Sequence, residues 1–112
     1  MSRKSSEDGS VTITRSAAQL RSLRSQIDKL DLQILKLINQ RAAIALKIGQ
    51  MKNNHGAEVF SPAREEEVLR HVLSANKGPL AEQAVRAIFR ELISGSRALQ
   101  KVLRVAYLGP EY

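Results

Sequence analysis

Two cations, Arg41 and Lys52, stand eleven residues apart in the stretch LINQRAAIALKIGQMK (residues 37–52). On a helix that spacing returns them to nearly the same face. Arg41 is the stranger of the two, because it occupies an otherwise aliphatic stripe. Ser96 and Gln100 lie one turn apart on the apolar stripe of a later segment, and Arg64 and Glu65 are adjacent in a third. If these segments bundle, the groups can line one pocket holding three cations, one carboxylate and two neutral hydrogen-bonding side chains. That set suits a small polyanion carrying a hydroxyl group. The constellation has no cysteine and no second carboxylate, and the two histidines, His55 and His71, have no second pair to complete a metal shell. A metal mechanism or a paired-carboxylate mechanism is therefore disfavoured, and Ser96 has no evident neighbouring base to make it a nucleophile. What remains is positioning and electrostatic stabilisation, which fits unimolecular rearrangement of a bound dianion. The residues alone do not name the reaction.

Simpler explanations stand beside this one. Arg41 taken alone is explained as well by a side chain snorkelling out at the edge of the stripe, or by a structural ion pair. A buried, unpaired charge is costly, so an Arg41 that is truly buried needs an anion. Arg24, seventeen residues before Arg41, falls about a quarter turn off its face. It reads either as an ordinary exposed arginine or as a group that reaches the pocket of a partner subunit.

The elements that must position these residues are helices. Leu20, Leu23, Ile27, Leu30, Ile34, Leu37, Arg41, Ile44, Ile48 and Met51 alternate by three and four. This is a heptad seam with Arg41 as its one charged member. The first helix is expected from about Ser16 to NNHG (53–56), with Gly49 its weak point at roughly 1 kcal/mol relative to alanine. Ser61 and Pro62 form a start signal, and Glu65, Glu66 and Glu67 suit the positive end of a helix dipole. This second helix should end before KGP (77–79). A third is expected from about Leu80 to Leu103. Residues 1–15 are polar and read as a flexible tail, with VTIT (11–14) as a weak candidate for an extended piece. The closing VLRVAYLGPEY reads as a buried strand meeting a Gly-Pro turn, the beginning of a further domain.

Composition agrees with an all-α fold of three helices, one of them very long. Hydrophobic residues make up 43% of the 112 and aromatics 4%, which suits aliphatic helix packing better than a β-sandwich. A first helix of some 35 residues would be a rod of about 50 Å, too long for two shorter helices to cover. The seam therefore calls for a second copy, an intertwined helical homodimer. The net charge of +7 suits nucleic acid, an anionic membrane surface or a small anion. No apolar run is long enough to span a bilayer, and MSRKSSEDGS lacks the apolar core of a secretory signal, so a cytoplasmic location is the default expectation.

The stretches LRSQIDKLDLQILKLINQR, KIGQMK, FSPAREEEVL and IFRELISGSRALQ together resemble the all-helical class of chorismate mutase. The resemblance covers about residues 16–103, and the spacing of the polar positions fits throughout. VAYLGPEY (105–112) looks like the opening of a prephenate dehydratase catalytic domain, so the whole resembles the first domain of a bifunctional chorismate mutase–prephenate dehydratase. The dehydratase site itself is not expected within this chain. The resemblance implies a Claisen rearrangement of chorismate to prephenate, on the route to phenylalanine and tyrosine, without a cofactor or metal. It implies that Arg41 binds a substrate carboxylate and that Arg24 does so from the other subunit. Lys52 and Gln100 would hydrogen-bond the ether oxygen, Glu65 would hold the ring hydroxyl, Ser96 would assist carboxylate binding, and Arg64 would add positive potential. Many relatives have an aspartate where this chain has Ser61. Ser61 either contributes to the hydroxyl site through its side chain or serves chiefly as a helix cap.

The runner-up is a basic helical adaptor that binds nucleic acid or a partner helix. It requires a continuous basic strip, whereas Arg15, Arg21, Arg24, Lys29, Lys36, Arg41, Lys47 and Lys52 are scattered, and two Phe and two Tyr offer little for stacking bases. A purely structural coiled coil would leave Ser96 and Gln100 unexplained. The expected partners are thus chorismate and a second copy of the chain, with no nucleic acid and no membrane.

Overall fold

The computed structural model describes the backbone of residues 2–54 and 61–108 and the side chains of residues 13–51 and 61–102. The fold is all-α, with three helices: α1 (Ser2–Asn54), α2 (Pro62–Ala75) and α3 (Glu82–Leu108). No strand occurs among the described residues. The chain divides into two compact units, residues 1–37 and residues 38–112.

The first unit is the N-terminal part of α1. The helix begins at Ser2, not near Ser16, so the backbone of residues 2–15 is helical where a tail was expected, VTIT included. No proline lies in this stretch, so helix can propagate through it at one hydrogen bond per residue fixed. The heptad seam is open to solvent along this unit. Leu20, Leu23, Ile27, Leu30, Ile34 and Leu37 are each about half or more exposed, from 48% at Leu20 to 62% at Leu37.

The second unit contains the end of α1 together with α2 and α3. Its core is small: among the described residues, Leu69 of α2 and Val85 of α3 are the buried hydrophobic side chains. Helix α2 starts as its sequence dictates. Ser61 is the N-cap, in extended conformation, and its hydroxyl accepts a hydrogen bond from the Arg64 N–H at 3.3 Å. Pro62 takes the first helical position, where its missing N–H costs nothing. The helix stops through Asn76 rather than through Gly78. The Asn76 N–H donates to the Leu73 carbonyl, its Nδ2 donates to the Leu80 carbonyl at 3.0 Å, and its Oδ1 accepts from the Gly78 N–H at 3.2 Å. One side chain thereby ties the whole turn between α2 and α3.

Helix α3 runs on to Leu108, so residues 102–108 form helix where a strand was expected. A β-branched run cannot satisfy its backbone alone, and the described residues offer no strand to pair with, whereas a continuing helix satisfies it internally. The expected Gly-Pro turn, at 109 and 110, lies outside the described residues. So do His55 and the loop that precedes Ser61.

Candidate active site

Within the second unit, the three helices enclose a cleft of about 280 Å³. Helix α1 supplies Arg41, Ile44, Ala45 and Ile48, which follow the 3.6-residue period along one face. The cap and first turns of α2 supply Ser61, Arg64, Glu65 and Val68, and α3 supplies Ile93, Ser96, Arg97 and Gln100. Six of the residues singled out from the sequence are therefore brought together: Arg41, Ser61, Arg64, Glu65, Ser96 and Gln100. Of the remaining two, Arg24 belongs to the first unit, and Lys52 is part of α1 with its side chain outside the described residues.

The cleft has a mixed lining of charged, polar and aliphatic side chains. Three arginines and one glutamate among its lining residues leave a net charge of +2. Arg64 forms an ion pair with Glu67 one turn along α2, both side chains being largely exposed. Glu65 pairs with Arg97, which joins the first turn of α2 to α3 through less exposed side chains (28% for Glu65, 44% for Arg97). Arg41 is half-buried, and no ion pair joins it to a described residue. Arg41 lines the cleft, and the described residues supply no ion-pair partner that would make it a structural salt bridge.

Gln100 is held most specifically. Its Nε2 donates to the Ala45 carbonyl at 2.5 Å, a contact between α3 and α1. Only the N–H side of a carboxamide can donate to a carbonyl, so this bond sets which way the amide faces. It also uses just one of the two Nε2 hydrogens, leaving the other for a ligand acceptor in the cleft.

Arg97 is a charged lining residue that the sequence does not single out. It precedes Gln100 by three residues and follows Ile93 by four, so all three share a face. An arginine beside an apolar stripe is usually a solvated flank. The structure instead pairs it with Glu65.

A family model described as chorismate mutase type II matches residues 23–101. The chain belongs to this family. Among curated relatives, it is 44% identical to a bifunctional chorismate mutase/prephenate dehydratase of Stutzerimonas stutzeri, over 85% of this chain and 27% of that protein. It is 32% identical to a chorismate mutase of Methanocaldococcus jannaschii, over 74% of this chain and 85% of that one. A solved chorismate mutase from Thermus thermophilus superposes with a TM-score of 0.72 at 29% identity, covering 74% of this chain and 94% of that one. The chain thus spans about a quarter of the length of the bifunctional relatives and most of the length of the two named simply as chorismate mutases. The match includes every lining residue of the cleft, and Arg24 and Lys52 as well. Membership in the chorismate mutase family favours the enclosed-pocket reading over the basic adaptor.

Proposed function

We propose that the cleft binds chorismate and rearranges it to prephenate, and that the chain is the mutase domain of a bifunctional mutase/dehydratase. The observation that carries this reading is the cleft itself: a mixed lining of net charge +2, with a fixed amide donor, in a chain of the chorismate mutase family. Chorismate carries two carboxylates, an ether oxygen and a ring hydroxyl, and each has a counterpart among the residues.

Arg41 holds one carboxylate, and its position in the seam places the charge where the ligand, not water, compensates it. Arg24 of a partner subunit holds the other, while Arg64 adds positive potential and Ser96 a neutral hydrogen bond. Glu65 accepts from the ring hydroxyl, and Arg97 keeps its carboxylate oriented from across the cleft. The free N–H of Gln100 and the ammonium of Lys52 meet the ether oxygen, where negative charge grows as the C–O bond breaks. Donors fixed in advance toward developing charge stabilise the transition state more than the ground state. Holding the side chain folded over the ring supplies the remaining, conformational part. No group on the enzyme needs to gain or lose a proton. Ser61 acts as the α2 cap, the role its hydrogen bond to Arg64 supports.

The functional unit in this reading is a homodimer. The seam side chains that are half or more exposed in one chain are the natural cover for the same residues of a second. Residues 104–108, which continue α3, lead in this reading toward the dehydratase domain that VAYLGPEY resembles.

Incubating the purified chain with chorismate, and following its loss against the appearance of prephenate, tests the reading. Acceleration well above buffer is expected. A folded, dimeric chain with no acceleration would refute it.

A further inference from the structure

Gly49 is a helix-interior glycine that helix geometry does not explain. It lies within α1, five residues before the helix ends at Asn54, where glycine costs roughly 1 kcal/mol relative to alanine. It is buried, and its backbone dihedrals are ones that any residue adopts. The reason for it lies in what a side chain would meet. A Cβ added at Gly49 would stand 2.9 Å from Gln100 Nε2, 3.1 Å from its Cδ and 3.3 Å from its Cγ. Gly95 of α3 makes the contrast, because a Cβ there meets nothing within 4 Å.

The three nearest contacts all fall on one functional group. All three atoms belong to the Gln100 side chain, and its amide nitrogen is the one bound to the Ala45 carbonyl. Ala45 precedes Gly49 by four residues, so its carbonyl points along the axis toward the turn that Gly49 occupies. The gap left by the missing side chain is therefore the space through which the amide reaches that carbonyl.

We propose that Gly49 is a positioning residue for the Gln100 amide. The bare turn at Gly49 seats the amide on the Ala45 carbonyl, so that its second N–H is presented to the ether oxygen. This inference rests on the reading of Gln100 as the ether-oxygen donor. Its consequence is a separation of stability from catalysis. The far end of a glutamine can swing away from an added methyl at little cost to folding, but the displaced donor then misses its target. Misplacement of a catalytic group by about 1 Å can cost on the order of 100-fold.

The test compares Gly49→Ala, Gln100→Ala, the double variant and Gly95→Ala in the full chain, by chorismate turnover and thermal unfolding. Expected for Gly49→Ala is a fall in kcat of about tenfold or more with KM changed less than about threefold. Its unfolding temperature should be equal to or above that of the parent. Gly95→Ala, which gains the same helix propensity, should keep the parental kcat. In the Gln100→Ala background the Gly49 substitution should have no further effect on kcat, because the group it displaces is gone. The proposal is overturned if Gly49→Ala keeps the parental kcat, if it fails to fold, or if it lowers kcat equally in both backgrounds. If Gln100→Ala itself is fully active, the assignment of the ether-oxygen donor falls, and the role of Gly49 with it. Full activity in Gly49→Ala beside a strongly impaired Gln100→Ala removes only the positioning role.

Discussion

Replacing Arg41 by leucine should separate the two demands made on the α1 seam. The position has apolar neighbours on both sides, Leu37 one turn before and Ile44 and Ile48 after, so leucine completes the heptad. Full burial of a leucine side chain is worth about 1.5–3 kcal/mol. Arg41 is only half-buried, and its aliphatic stem already covers part of the same surface. The net gain is therefore about 1 kcal/mol or less, with relief of like charge beside Arg64 and Arg97 acting in the same direction. Catalysis should move the other way. Removing one partner of a desolvated charge pair costs about 2–5 kcal/mol. At about 1.4 kcal/mol per factor of ten, that is a loss of roughly 30-fold to several thousand-fold in kcat/KM. Because the carboxylate is held in both ground and transition states, a rise in KM should contribute substantially. Steady-state kinetics with chorismate and chemical denaturation of the same preparation measure both quantities. Activity within threefold of the parent would refute the assignment of Arg41 to the substrate. Loss of activity matched by loss of stability would show a structural role instead.

Further outcomes follow from the same site. Lys52→Ala should lower turnover far more than stability, and equal losses would mark Lys52 as structural. Gln100→Glu should make activity depend on pH. The introduced carboxyl donates only while protonated, so turnover should fall as pH rises through its titration, ordinarily near 4.3, whereas the parental amide does not titrate. A pH profile unchanged from the parent would refute the donor role. Arg97→Ala should raise KM several-fold with little change in kcat, because it frees the Glu65 carboxylate without removing it, and an unchanged KM would leave Arg97 with no part in binding. Mixing Arg24→Ala with Arg41→Ala chains should restore part of the activity if Arg24 acts across the dimer. No restoration, with subunit exchange confirmed, would place both arginines in one subunit's pocket.

The helices were legible because their signals are local. The heptad spacing of α1 and the Ser61-Pro62 start of α2 each reside in a few neighbouring residues, and α1 and α2 end within a residue or two of where the asparagines and glycines suggested. The convergence of Arg41, Arg64, Glu65, Ser96 and Gln100 was legible for a different reason: polar residues on otherwise apolar stripes are costly unless they meet something. What was not legible depended on contacts between distant segments. Nothing near Gly49 in the sequence indicates that Gln100, fifty-one residues later, lies against it, and a helix-interior glycine read alone is only a weakness. Arg97 escaped because its partner Glu65 is on another helix. The ends of the chain misled in a simpler way. Polarity suggests a tail over residues 2–15 and β-branching a strand over 102–108, yet both continue adjoining helices, since propagation is easier than a fresh start.

The central claim is that the charge set into the α1 seam marks the floor of a dianion-binding active site. The most direct measurement is a crystal structure of the chain with a stable bicyclic ether dicarboxylate that mimics the rearranging molecule. The account predicts the ligand in the cleft, one carboxylate on Arg41, and the ether oxygen within hydrogen-bonding distance of Gln100 Nε2 while that nitrogen keeps its bond to the Ala45 carbonyl. A ligand bound elsewhere, or in the cleft with Arg41 and Gln100 turned away from it, would contradict the account.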